Sequence, residues 1–217
     1  MVLGLALMGV MAPAIMNMDQ SSKSPEAGRQ HAKRQRGHLL AQCYTSEETP
    51  EQRDQLHNAQ VYLEEDGKLY VTKYPTPTMA PFDGHFYTHP DFPPDDISGL
   101  ITLSGETPPL ARWVFLDAEA NEMRYGGKAD TQGHICGPFD LHDAENGYIT
   151  LERRQRWLAV KLPEQRVREE EALELGIAES EYGGRGLWTL YFDRDEYVLP
   201  AGTQWVKLRL RHVPVEK

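Results

Sequence analysis

Short runs in which apolar and polar side chains alternate recur from residue 60 to the C-terminus, and that two-residue period predicts strands with one face on a core. Gln60–Glu65 and Lys68–Tyr74 are two such runs of β-forming residues, joined by Asp66-Gly67. An Asp-Gly pair supplies the positive φ angles of a two-residue type I′ turn, so the spacing predicts a tight hairpin. Further strands are expected at Gly99–Leu103, Ala111–Asp117, Glu122–Tyr125, Tyr148–Glu152, Trp157–Leu162, Gly186–Phe192 and Gln204–Arg211. The Pro-rich stretch Pro75–Pro94 cannot pair in a central strand and reads as a long loop. Between Pro163 and Tyr182, Glu and Arg among Ala and Leu fit one helix or an ordinary excursion between strands.

The fold class that follows is mainly β: an antiparallel β-barrel or sandwich of at least six strands around one core, with a disordered N-terminal arm. Residues 1–55 are read as a flexible extension and 56–217 as a single β domain. The tryptophans Trp113, Trp157, Trp188 and Trp205 each fall in a predicted strand, where aromatics are core more often than stacking platforms. Asp19–Pro50 is polar and aperiodic. Its basic run His31–Arg36 fits a nuclear signal, an arm for RNA phosphates or, by preference, a solvated charge cluster. The apolar run Val2–Met16 has no Lys or Arg ahead of it and is read as an extension rather than a secretory signal.

Composition narrows the function classes. At 40% apolar and 26% charged, the 217 residues have the material for a packed core and a solvated surface. A net charge of −10 argues against nonspecific nucleic-acid binding by the whole surface, although a local basic patch overrides that average. Cys43 and Cys136 stand far apart with no metal-ligand spacing, which fits a reducing compartment, the cytoplasm. The chain has no Gly-rich phosphate loop, no G-x-S-x-G elbow and no H-E-x-x-H pair. Neither His134 nor Cys136 has a partner at nucleophile-base spacing.

Three polar groups remain. Asp193-Arg-Asp-Glu196 follows the apolar strand ending at Phe192, so Asp193, Asp195 and Glu196 are expected at one rim of the sheet. If the strand stays extended through Arg194, Asp193 and Asp195 share a side. Such carboxylates bind a cation, recognise a guanidinium, act as acid and base, or simply solvate a turn. A second acidic pair, Asp95-Asp96, closes the Pro-rich loop. Lys207, Arg209 and Arg211 alternate with Val206, Leu208 and Leu210, which puts three cations on one face of a strand. Arg153, Arg154 and Arg156 extend that stripe if their turn lies nearby; a solvated basic face is the simpler reading.

Four segments, Pro94–Leu100, Pro108–Asp117, Tyr125-Gly126 with His134–Pro138, and Leu187–Asp195, together resemble a fungal family of small proteins that includes arginine-containing cyclodipeptide synthases. The likeness runs over roughly residues 60 to 212, in the same order. It implies a tRNA-dependent enzyme of secondary metabolism that joins an arginyl group and a second aminoacyl group into a diketopiperazine. The implied partners are aminoacyl-tRNAs including arginyl-tRNA, with no membrane, and no cofactor or metal is needed because an aminoacyl ester is already activated. On this reading Asp193, Asp195 and Glu196 are the catalytic acids, Glu196 standing where the family continues with an aspartate. Asp95, Asp96, Lys207, Arg209 and Arg211 are substrate-binding. A noncatalytic β module for a small ligand or protein, and a small-molecule isomerase or cyclase with its carboxylates inside a barrel, stay open beside it.

Overall fold

The computed structural model describes residues 25–44, 47–88, 98–104, 107–142, 145–177, 186–196 and 199–215. Alternation is followed most closely in the last strand, β13 (Gln204–Pro214), where Val206, Leu208, Leu210 and His212 are buried and the residues between them face outward. Before it come β1 (Gly37–Cys43), β2 (Gln60–Leu63), β3 (Leu69–Thr72), β4 (Ala80–Pro81), β5 (Gly84–Thr88) and β6 (Ser98–Leu103). They are followed by β7 (Ala111–Leu116), β8 (Met123–Gly126), β9 (Phe139–Leu141), β10 (Ile149–Leu151), β11 (Trp157–Lys161) and β12 (Trp188–Phe192). Three helices accompany them among the described residues: α1 (Pro25–Arg34), α2 (Pro50–Leu56) and α3 (Pro163–Glu174).

Six strands close on themselves in the order β1-β13-β11-β12-β3-β2, with β2 returning to β1 at Gln60 opposite Leu40. All pairings in this ring are antiparallel. Closure removes the free edges of an open sheet. The interior is filled by Leu39, Ala41, Val61, Val71, Trp157, Trp188, Leu190, Phe192 and Leu208. Trp157 anchors it: its indole N–H donates to the Ile149 carbonyl at 2.8 Å, and its ring meets Phe192 edge-on at 4.8 Å. The strands β5 to β10 form hairpins beside the ring, joined to it where Gly37 of β1 faces Gly84 of β5. A Cβ at Gly84 would lie 2.0 Å from the Ile101 carbonyl oxygen of β6 and one at Gly37 2.5 Å from that of Val213 on β13, so each position at this junction has room only for glycine.

The N-terminal reading is corrected by this arrangement. β1, inside the expected flexible extension, pairs along its whole length with β13 and carries Leu39, Ala41 and Cys43 into the core. A single strand of mixed residues flanked by polar sequence gives little periodic signal, because its order comes from long-range partners. The basic run is solvated only in part: His31, Arg34 and Arg36 are exposed, Arg36 pairing with Asp83, whereas Lys33, on α1, is buried with its ammonium 2.7 Å from Asp140. The apolar run Val2–Met16 lies outside the described residues.

Three smaller differences follow. The β2–β3 hairpin exists, but its loop is a three-residue one: the Gly67 N–H donates to Glu64 and the Glu64 N–H to Lys68, with a positive φ at Gly67 and not at Asp66. That is a type I turn with a bulge glycine rather than type I′. Part of the Pro-rich stretch does pair, since β5 begins after the last proline of its first half and joins β6. Trp157 and Trp188 are buried as expected, Trp113 is half-buried, and Trp205 is 45% exposed because it takes an outward position on β13.

Candidate functional site at the β2–β3 turn

The β2–β3 turn is held from the side by β8. Tyr125 donates its backbone N–H to Gly67 and its hydroxyl to the Glu64 carbonyl at 2.7 Å, while Arg124 donates to the Asp66 carbonyl at 3.1 Å. Asp66 in turn accepts the Lys68 backbone N–H at 2.9 Å and the Tyr70 hydroxyl at 2.7 Å. Burial, and then the neighbouring Asp66, push the Tyr70 hydroxyl well above its ordinary range, so it stays a donor.

Two cavities, each bordered mostly by charged and polar residues, flank this turn, and Asp66 lines both. One, of about 490 Å³, lies under α3 and is bordered by Lys68, Tyr70, Gln165, Arg168, Leu187 and Thr189. The other, of about 450 Å³, is bordered by Glu65, Arg112, Phe115, Arg124, Asp130 and His134. Behind the first cavity is a buried carboxylate, Glu122. It receives the Lys68 ammonium at 3.1 and 3.0 Å and the Tyr191 hydroxyl at 2.6 Å. Both partners donate to an ionised carboxylate, which makes these the stronger kind of hydrogen bond.

The second cavity is ordered by Asp117 and Asp130. Burial alone would raise the Asp117 carboxyl, but the Ala120 and Glu119 N–H groups, with His134 and Arg124, outweigh it and hold the carboxyl below its usual range. His134 stacks on Phe115 with ring centres 5.2 Å apart. Asp130 accepts the Gly127 N–H at 2.8 Å, and a Cβ on Gly126 would come within 2.6 Å of its carboxylate.

The residues singled out from sequence lie elsewhere. The strand does not stay extended beyond Phe192: the Arg194 N–H donates back to the Phe192 carbonyl, a three-residue turn that breaks the alternation expected to align Asp193 with Asp195. Asp193 is half-buried, Asp195 is 73% exposed in its side chain beside Arg194, and Glu196 is 84% exposed with Arg156 at 3.9 Å. Arg194 itself turns in and grips Glu152 with two bonds of 2.9 Å, which lowers the Glu152 carboxyl. Arg154 donates to the Arg194 carbonyl, so the basic turn at 153–156 faces this acidic loop and does not extend the stripe on β13. Lys207, Arg209 and Arg211 do share the outer face of β13, as the alternation predicts. Asp95 and Asp96 lie outside the described residues. None of the described positions among these borders either cavity.

Missed altogether were Asp66 as a site residue, Lys68, Glu122 and Tyr191. One signal was present: Trp188–Phe192 is a near-continuous apolar run, the mark of a strand covered on both faces, and in the structure every residue of it is buried, so its polar members Thr189 and Tyr191 need partners. Three of the four segments behind the family resemblance meet here. Arg112 and Phe115, then Tyr125, Gly126 and His134, border one cavity, while Leu187 and Thr189 border the other.

Comparison with known proteins returned no match among curated proteins and none among solved structures. A family model described as a fungal beta-trefoil domain matches residues 13–216. That span takes in the whole closed ring and its hairpins, β1 included, and the chain belongs to the fungal beta-trefoil domain family.

Proposed function

We propose that the protein is a tRNA-dependent cyclodipeptide synthase whose two aminoacyl groups occupy the twin cavities beside Asp66. The observation that carries this reading is the pair of adjoining cavities sharing one carboxylate, bordered by three of the four segments that carry the family resemblance. A reaction between two aminoacyl esters needs two side-chain pockets with the reacting ends held together, and most of its acceleration comes from that positioning. The cavity beside β7 and β8 takes the arginyl side chain, with Glu65 and Asp130 as partners for the guanidinium and Asp66 left at the reacting ends.

In the first step the α-amine of one aminoacyl group attacks the ester carbonyl of the other. A C–N bond forms, the C–O bond to ribose breaks, and the amine proton passes by way of Asp66 to the departing ribose oxygen. The free amine of the dipeptidyl ester then attacks the remaining ester in the same way, closing the diketopiperazine and releasing the second tRNA. Lys68, fixed by Glu122, supplies positive charge to the oxygen that becomes negative in each step. Asp193, Asp195 and Glu196 take no direct part in this reading.

The test is expression of the full chain in a cell that lacks the rest of any pathway, with an untargeted search for new arginine-containing cyclic dipeptides. Product from the parent chain, reduced about 100-fold or more in Asp66→Asn, is the expected result. The second reading, a noncatalytic ligand module, is favoured by how fully the cavity charges already pair with one another, as Lys68 does with Glu122 and Arg124 with Asp117 at 3.6 Å. Saturable binding of free arginine without any product would support it.

A further inference from the structure

The outer face of β13 lies across the ring from β3, away from the twin cavities. In a chain with 33 Asp and Glu residues and a net charge of −10, the three adjoining strands β1, β13 and β11 contain no acidic residue at all. Their shared outer face instead carries Lys207, Arg209 and Arg211 in alternate positions of one strand. Aromatic rings are set between these cations. The Arg209 guanidinium lies 4.6 Å from the Tyr44 ring centre and 5.3 Å from that of Tyr148, and Lys207 lies 5.7 Å from that of Trp205. Tyr44 is 43% and Trp205 45% exposed. Tyr148 is pinned by a 2.8 Å hydrogen bond from its hydroxyl to Gln42 of β1.

We infer that this face binds single-stranded RNA, with the phosphates on Lys207, Arg209 and Arg211 and bases stacked on Trp205 and Tyr44. Alternate residues on a strand repeat at about 6.8 Å, which suits the step between successive phosphates of an extended nucleic-acid strand. A guanidinium placed close to two rings is held in position by them and still has N–H groups to offer a phosphate. Exposed rings beside the cations favour a ligand with flat apolar faces, and that distinguishes RNA from an acidic peptide or an anionic membrane. The remaining contacts at the face are compatible: the Lys207 ion pair with Glu47 is long, at 3.5 Å, and Arg211 donates to the Asn146 carbonyl through its Nε at 3.0 Å. This site goes beyond the proposed reaction and needs no aminoacyl group.

The experiment is fluorescence anisotropy of a labelled oligouridylate titrated with the full chain at several salt concentrations. Three variants are compared: Lys207→Glu with Arg209→Glu, Trp205→Ala, and Asp66→Asn. Because the substituted β13 side chains point outward, circular dichroism of each variant should match the parent. The proposal expects measurable binding by the parent, a loss of tenfold or more in the double reversal with a salt slope lower by about two, and a loss of about tenfold in Trp205→Ala. Asp66→Asn should bind as the parent does, whether or not it makes product. No binding by the parent, or unchanged affinity and slope in the β13 variants, overturns the assignment. Tighter binding to phosphatidylserine vesicles than to RNA, lost in the same variants, overturns it in favour of a membrane.

Discussion

Glu122 is 7% exposed and faces a cation and a hydroxyl, an arrangement that costs desolvation and is repaid only while both partners stay. Glu122→Gln keeps an acceptor for Tyr191 but removes the anion opposite Lys68. Since the Lys68 side chain is 28% exposed, water takes over part of the lost interaction. The expected destabilisation is about 2 kcal/mol, read as a lower midpoint in urea unfolding with an unchanged slope. An unchanged midpoint would mean that the contact between Glu122 and Lys68 adds nothing to stability. His212 and His85 give a second expectation. Burial lowers both imidazoles from their ordinary value, and for His212 the nearby His85 and His38, for His85 the nearby Arg36, act in the same direction. Well above pH about 6.5 both are neutral in the folded and the unfolded chain. As pH falls below that value the unfolded chain takes up protons that the folded one resists, so stability falls with acidification. Melting temperature should therefore be level above pH about 7 and decline towards pH 5.5, before the carboxylates titrate; a rise over that interval would contradict the assignment.

At the scale of elements, β1 is the strand whose importance was least visible beforehand. Pairs run from Gly37 with Pro214 to Cys43 with Leu208, and Leu40 with Gln60 closes the ring. A chain beginning after Cys43 leaves β13 and β2 with open edges and exposes the interior that Leu39 and Ala41 cover. It should lack a cooperative thermal transition, checked by calorimetry; a parent-like transition would show that the ring survives without β1. The strands found from sequence, such as β3, β11 and β13, were legible because one face is apolar and the other is not. β9, with three residues, and β5, within a proline-rich stretch, are too short or too mixed for a period to show, and their order comes from β6 and β10 beside them. The stripe of Lys207, Arg209 and Arg211 was readable for the same reason that β13 was. Glu122 and Lys68 were not, because an ion pair 54 residues apart in sequence is made by the packing of β8 against β3 and leaves no local trace.

Across the whole molecule the charges are divided. Acidic residues dominate the total, a strip of three strands is free of them, and two cavities lie on the other side of the ring around Asp66. The division suits a protein that meets RNA on one flank and handles small side chains on the other, and Asp66 is where the two cavities meet. The most direct measurement is incubation of the purified full chain with arginyl-tRNA carrying labelled arginine and with a pool of other charged tRNAs, followed by mass spectrometry of the small-molecule fraction. The account predicts a labelled arginine-containing diketopiperazine that forms with the parent chain and falls at least 100-fold with Asp66→Asn. Labelled arginine that stays on tRNA or appears only as the free amino acid, with parent and variant alike, would contradict it.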